Sequence, residues 1–228
     1  MIFRGWQKTS LIEYPGKIVS VLWVGKCNFS CPWCYNKDLV LNPEKLPSIT
    51  EDEVLDFLKT RIGLLDGIMI TGGEPTLNRD LPDFIQKVKN LKFLVGIETN
   101  GINPETLQKL IKERLIDFVA MDIKAPMDNQ EKYNEITGTK VDLEKIKRSM
   151  EIIKNSKIDY EFRTTVVPIL KRDDIIKIAQ ELRGAKRYVL QQFETKETLL
   201  SEAYKSMKPY QDGELSEMKD EIKLLFNK

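Results

Sequence analysis

The chain has 228 residues, enough for one α/β domain or at most two small ones. Its 36 basic and 35 acidic residues leave a net charge of +1, which offers neither the electrostatic footprint of a nucleic-acid binder nor a polybasic membrane patch. Hydrophobic residues make up 41%, enough for a real core, and there is no histidine, which removes the commonest general base and nitrogen metal ligand. No basic n-region with a long apolar stretch opens the chain, so no signal peptide is expected. The longest apolar run, Ile18 to Val24, is far too short to span a bilayer. The only cysteines, Cys27, Cys31 and Cys34, sit in one cluster. An odd, clustered set argues against a disulfide framework and predicts a reducing, cytoplasmic setting.

After Gly16 the chain repeats a pattern. Ile18 to Val24 reads as a buried strand. Thr50 to Glu53 forms a capping box, and Val54, Leu55, Phe57 and Leu58 give the next helix an apolar face. Gly67 to Thr71 is the second strand, followed by a helix with Leu81, Phe84, Ile85 and Val88. Phe93 to Thr99 is the third, and its helix opens with Asn103 and Pro104. Phe118 to Ile123 is the fourth, returning through a helix that starts near Asp142 and carries Leu143, Ile146, Met150 and Ile153. Glu161 to Val167 is the fifth, with a helix from Asp174 to Leu182 that stops at Gly184. Arg187 to Phe193 is the sixth, and an amphipathic helix runs near Leu215 to Phe226.

Six strand–helix units with short apolar strands imply parallel pairing with both faces covered. No GxGxxG or GxxxxGK[ST] fingerprint is present. The expected fold is therefore α/β, a partial six-unit (β/α) barrel with parallel strands. It forms one domain over 1–228, with an N-terminal extension at 1–16 and a cysteine loop at 25–36. Such barrels place their site at the carboxyl ends of the strands. There the sequence puts the cysteine loop, then Thr71-Gly72-Gly73-Glu74-Pro75, then Glu98-Thr99-Asn100-Gly101. Asp122-Ile123-Lys124 follows, then Arg163-Thr164-Thr165, then Gln191-Gln192. Any one of these reads as a turn. Six in a row, beside three cysteines, read as a site.

The cysteines have three readings. A structural zinc site wants four protein ligands, and no histidine exists to complete three cysteines. Inert core cysteines fit poorly with a polar loop built around Pro32. A cubane iron–sulfur cluster takes one thiolate per iron, so three cysteines leave one iron open to something that is not protein.

CNFSCPWC, residues 27–34, has the CxxxCxxC form of the radical S-adenosylmethionine enzymes, with Trp33 just before the last cysteine. TGGEP, residues 71–75, resembles that superfamily's second motif at the end of the second strand. The resemblance implies a partial barrel over nearly the whole chain. It implies a 4Fe–4S cluster on Cys27, Cys31 and Cys34 whose open iron is chelated by S-adenosylmethionine. One electron from the cluster then breaks a carbon–sulfur bond, and a 5′-deoxyadenosyl radical takes a hydrogen atom from the substrate. No general base is needed, so the lack of histidine is no obstacle. No cysteines remain for a second cluster, so an external low-potential donor such as flavodoxin or ferredoxin is implied.

Roles follow from that resemblance. Gly72 and Gly73 allow close backbone approach to a ligand. Glu74 is placed to accept from the methionine ammonium, against the alternative of a surface carboxylate. Glu98 and Asn100 lie beside the ribose or methionine end, though Asn100-Gly101 also suits a simple turn. Asp122 and Lys124 share one strand face and are the candidate catalytic pair, facing cofactor and substrate; a structural ion pair is the alternative. Arg163 is a candidate for the cofactor carboxylate, or a strand cap. Trp33 backs the cluster and adenine, or packs the loop.

Gly5 to Asn36, with its Thr9-Ser10-Leu11 and Tyr14-Pro15-Gly16 elements, resembles the activating proteins of anaerobic ribonucleoside-triphosphate reductase. So does Asp122 to Pro126, followed by Tyr133 and Ile136 to Gly138. These activases, relatives of the pyruvate formate-lyase activating enzyme, make a glycyl radical on a partner. The sixth strand departs from that relative: Gln191 or Gln192 stands where a histidine is expected near S-adenosylmethionine. The alternatives are a small-molecule enzyme resembling 7-carboxy-7-deazaguanine synthase and, outside enzymes, an iron–sulfur electron carrier. The long connections Pro126 to Gly138 and Thr195 to Gly213 are expected to border the barrel opening and grip the partner's glycine loop, with Tyr133 among the gripping residues.

Overall fold

The computed structural model describes residues 1–226. Its elements, in chain order, are β1 (Ile2–Phe3), β2 (Gly5–Ser10), β3 (Val19–Val24), α1 (Lys37–Leu41), β4 (Ile49–Thr50), α2 (Glu51–Lys59) and β5 (Gly67–Gly72). Then come α3 (Leu81–Asn90), β6 (Leu94–Thr99), α4 (Pro104–Lys112), β7 (Phe118–Asp122), α5 (Gln130–Thr137) and α6 (Leu143–Lys154). The chain ends with β8 (Asp159–Val166), α7 (Arg172–Glu181), β9 (Tyr188–Gln192), α8 (Glu202–Lys205) and α9 (Asp212–Phe226).

One sheet carries the order β2-β3-β5-β6-β7-β8-β9, parallel from β3 onward. All six expected strands are present, and helices cover the sheet's outer face as their apolar stripes require. The extra strand is β2, which pairs antiparallel with β3 and lies within the expected N-terminal extension. Its polar residues hid it, because an edge strand need not be an apolar run. A separate two-stranded pair, β1 with β4, closes one side. The capping box of α2 is formed: the Glu53 N–H donates to Thr50 Oγ1 at 3.2 Å, and the Thr50 N–H donates to Glu53 Oε2 at 2.7 Å.

The sheet is strongly curled. β8 stands five strands from β2 in the order, yet Arg163 on β8 donates to the Glu13 carbonyl, just past β2, at 3.3 Å. Tyr14, from the same loop, stacks on Phe118 of β7 with ring centroids 4.7 Å apart. Tyr14 thus plugs the amino-terminal end of the barrel against Val19, Val21, Met69, Phe118 and Ala120. Moving up the inner face, side chains turn polar: Met69 gives way to Thr71, Gly96 to Glu98, and Ala120 to Asp122. On β8 the inward positions are polar throughout, as Glu161, Arg163 and Thr165. An apolar floor under a polar rim places the site at the strands' carboxyl ends.

Candidate active site

A cavity of about 530 Å³ opens at that rim. All three cysteines line it, as do Trp33, Gly72, Gly73, Glu98, Asn100, Asp122, Lys124, Arg163 and Gln192. Of the candidate cluster, cofactor and catalytic residues read from the sequence, only Glu74 is absent from its wall.

The cysteine loop is held at its base by the Gly-Gly-Glu turn. The Gly73 N–H donates to the Val24 carbonyl at 2.9 Å, and the Glu74 N–H to the Lys26 carbonyl at 2.9 Å. A Cβ on Gly73 would stand 1.8 Å from the Lys26 carbonyl oxygen, and one on Gly72 would stand 2.5 Å from that of Val24. Gly73 is therefore required by the approach of the cysteine loop and Gly72 by that of the end of β3, a cause within the protein that the sequence reading did not name.

Both long connections pack on this loop. The Ser30 N–H donates to the Thr137 carbonyl at 3.0 Å, and Trp33 Nε1 donates to the Ile136 carbonyl at 2.9 Å. From the other side, Leu200 and Ser201 N–H groups donate to the Cys34 and Pro32 carbonyls at 3.1 and 2.8 Å. This corrects one expectation: Tyr133 is fully buried, because α5 turns it toward the cysteine loop, and it presents nothing to a partner.

Burial pushes the Cys27 thiol up to about 11 and the Cys31 thiol up to about 12, and raises Cys34 as well. The Lys124 ammonium offsets only part of that rise, so the thiols hold their protons, and metal binding would release them. Among the described residues no three His, Cys, Asp or Glu side chains close around a single ion. The donor set suits a group that takes one thiolate per iron from separate corners.

Glu74 lies beneath the cavity, fully buried. Its Oε1 accepts from the Thr76 N–H at 3.0 Å and from Thr99 Oγ1 at 2.8 Å, and its Oε2 accepts from the Asn100 N–H at 2.8 Å. Burial raises its pKa, and these donors offset only part of that rise. The carboxylate thus ties the end of β5 to the end of β6. Asn100 continues the tie: its Nδ2 donates to Asn28 Oδ1 in the cysteine loop at 3.0 Å.

Glu98 accepts from Thr71 Oγ1 at 2.5 Å and forms an ion pair with Arg163. Arg163 Nε also donates to Glu161 Oε1 at 2.6 Å. Burial disfavours that guanidinium's charge, but Glu98 and Glu161 outweigh it and raise the pKa. Lys124 pairs with Asp122 at 2.6 Å and sits 4.7 Å from the centroid of the Trp33 ring. Burial opposes the ammonium, and Asp122 with the neighbouring groups more than offsets it, holding Lys124 above its ordinary value. Gln192 Nε2 donates to the Tyr210 carbonyl at 2.8 Å, and Thr165 Oγ1 donates to Gln191 Oε1 at 3.4 Å.

The sequence reading missed Glu13 and Glu161, and quoted Thr71 in its motif without giving it a role. Glu161 had a signal: a carboxylate in register with Arg163 on a strand whose other face is apolar. Glu13 had none, because only the curl of the sheet brings it to the cavity.

Comparison with known proteins agrees with this geometry. Residues 21–182 match the family model of the radical SAM superfamily. A provisionally named glycyl-radical enzyme activating enzyme of Methanocaldococcus jannaschii is 35% identical over 218 residues, covering 92% of this chain and 86% of that protein. A provisionally named GTP 3′,8-cyclase of Pyrococcus horikoshii is 30% identical over 189 residues, but the chain spans only 58% of its length. Streptococcus suis SuiB bound to S-adenosylmethionine shares the fold, with a TM-score of 0.66 at 16% identity over 89% of this chain and 48% of SuiB. Radical SAM enzymes have a partial barrel and bind a 4Fe–4S cluster and S-adenosylmethionine. With its three-cysteine loop, its Gly-Gly-Glu turn and a family match across most of its length, the chain belongs to the radical SAM superfamily.

Proposed function

We propose that this radical SAM enzyme is an activase that takes a glycyl Cα hydrogen from a partner of the anaerobic ribonucleotide reductase type. The observation that carries this reading is the similarity to the Methanocaldococcus jannaschii protein across nearly the full length of both chains. Cys27, Cys31 and Cys34 would hold the cluster, leaving one iron for the amino and carboxylate groups of S-adenosylmethionine. When bound, the cluster supplies the electron that breaks a carbon–sulfur bond of that cofactor. Asn100, Glu98 and Arg163 would orient the methionine and ribose end, with Gln191 and Gln192 of β9 on the wall of the same cavity. Gly72 and Gly73 bring backbone to the same wall, and Glu74 positions Asn100 from below. Trp33 and the Asp122–Lys124 pair border the space where cofactor and glycine loop meet. The described sheet ends in two unpaired edges, β2 and β9, and a side opening there suits entry of a protein loop. A flavodoxin or ferredoxin would supply electrons from outside, in an anaerobic cytoplasm.

The test mixes reduced protein, S-adenosylmethionine and an anaerobic ribonucleotide reductase, and records an electron paramagnetic resonance spectrum. A glycyl doublet on the reductase is expected. The similarity to GTP 3′,8-cyclases favours a second reading, chemistry on a small heterocycle. Turnover of a purine nucleotide, or of a deazapurine precursor, with no doublet would establish that reading instead.

A further inference from the structure

Tyr133 has no part in the function proposed above, yet it is built into the site. It lies on α5 and is fully buried; the Lys124 N–H approaches its hydroxyl oxygen, but the hydroxyl proton has no acceptor among the described residues. Buried hydroxyls are almost always paired, so an orphan of this kind points to a missing partner. The helix aims it. The carbonyls of Ile136 and Thr137 accept from Trp33 Nε1 and the Ser30 N–H, at 2.9 and 3.0 Å. A Cβ on Gly138 would stand 2.4 Å from the Ser30 carbonyl oxygen. α5 is therefore pressed against the segment that carries Cys31. Tyr133, three and four residues before Ile136 and Thr137, shares their face of the helix.

Around the hydroxyl stand the Lys124 main chain, the Lys124 ammonium, Cys31 and Asp122, all within electrostatic reach. Neither group of Lys124 helps the hydroxyl proton. The backbone N–H is a donor, and the ammonium is a donor already engaged with Asp122 at 2.6 Å. What the proton lacks is an acceptor, and the nearby chemistry offers sulfur.

We propose that Tyr133 donates an O–H···S hydrogen bond to a sulfur of the cluster at its Cys31 corner, and so raises the cluster's reduction potential. Hydrogen bonds to cluster sulfurs stabilise the more negative, reduced state, and they are among the factors that set the potential. The inference rests on the cysteine loop as the cluster site.

The test is Tyr133→Phe, which removes one oxygen and keeps the packing. Parent and variant are reconstituted anaerobically, and the cluster is titrated with mediators while its paramagnetic signal is followed. At a fixed potential the variant's ratio of reduced to oxidised cluster is expected to fall about tenfold, a midpoint lower by about 59 mV for one electron. Equal midpoints would overturn the inference and leave the cluster assignment standing. A parent that takes up no iron would overturn both. Melting of the two apoproteins gives a readout independent of loading. A hydroxyl whose proton has no acceptor adds little to the apo fold, so the variant should melt near the parent's temperature. If the variant apoprotein melts far below the parent, the hydroxyl proton has an acceptor within the protein and the inference fails. A variant that melts normally but loads no cluster would overturn it, since the bond is proposed to tune the potential and not to hold the cluster.

Discussion

Gly73 and Lys26 touch backbone to backbone: a Cβ on Gly73 would stand 1.8 Å from the Lys26 carbonyl oxygen. Lys26 itself has a left-handed backbone, with φ of 68°. Two chain segments that distant in sequence are locked by a contact only glycine permits. Gly73→Ala must therefore move the base of the cysteine loop. The expected outcome is a lower melting temperature and loss of most iron uptake. Gly213, within α9, is the control, since a Cβ there meets nothing within 4 Å. Gly213→Ala should stabilise the protein by about 0.5–1 kcal/mol, because alanine is the better helix former. Thermal melts and iron assays of both variants check the pair.

The three cysteines are the chain's whole supply. Each of Cys27→Ala, Cys31→Ala and Cys34→Ala is expected to abolish the cubane cluster after anaerobic reconstitution, with no spare thiol to rescue it. Iron and sulfide analysis with absorption spectra checks this. Stoichiometric zinc without iron uptake in anaerobically purified parent protein would sink the assignment.

Arg163 is held between Glu98 and Glu161, and both Arg163 and Glu161 are almost fully buried. Removing one partner of such a buried pair typically costs about 3–5 kcal/mol, because it strands the other charge. Arg163→Ala should show a loss of that order near neutral pH. The Glu98 carboxyl, which burial already raises against the pull of Arg163, then titrates further above its unfolded value. A raised carboxyl stabilises the fold while it is protonated, and that gain is lost as pH rises through the folded pKa. The deficit relative to the parent should therefore shrink as pH falls from about 7 toward 5. Denaturant unfolding at several pH values decides it; a deficit that does not change with pH would mean the carboxylates are not stranded.

What the sequence disclosed, and what it hid, follows the same physics. β3, β5, β6 and β7 were legible because a strand covered on both faces is apolar for most of its length, and β8 because its apolar residues alternate with polar inward ones. Trp6 to Thr9 were not, because β2 lies at an edge, where one face is left to polar residues and Trp6 is anchored by a polar contact, its Nε1 donating to Ser20 Oγ at 2.8 Å. The cysteine loop and the strand-end residues were legible from type and spacing. The partners of those residues were not. Glu161 binds Arg163 from one layer down, Glu13 reaches it across the curl, and Glu74 works from below the cavity. Each is a relation among strands, and a linear pattern does not record it. Tyr133 shows the limit from the other side: its place on a long connection suggested exposure, and the docking of α5 on the cysteine loop buries it.

Glu74 provides the last prediction. Its carboxylate accepts from Thr76, Thr99 and Asn100, and Asn100 in turn holds Asn28 beside Cys27. Glu74→Ala leaves those buried donors without an acceptor, and each such loss costs about 1–3 kcal/mol. The turn that presents Asn100 to the cavity should loosen. The cysteines themselves do not depend on that turn for ligation, so iron content should stay near the parent's. Affinity for S-adenosylmethionine should fall tenfold or more, since about 1.4 kcal/mol of lost orientation is enough for that. Glu74→Gln keeps one acceptor oxygen but aims an amide at a donor, so its loss should be smaller. Calorimetric titration of the reconstituted proteins with S-adenosylmethionine measures both. An alanine variant that binds as tightly as the parent would show that Asn100 holds its place without Glu74.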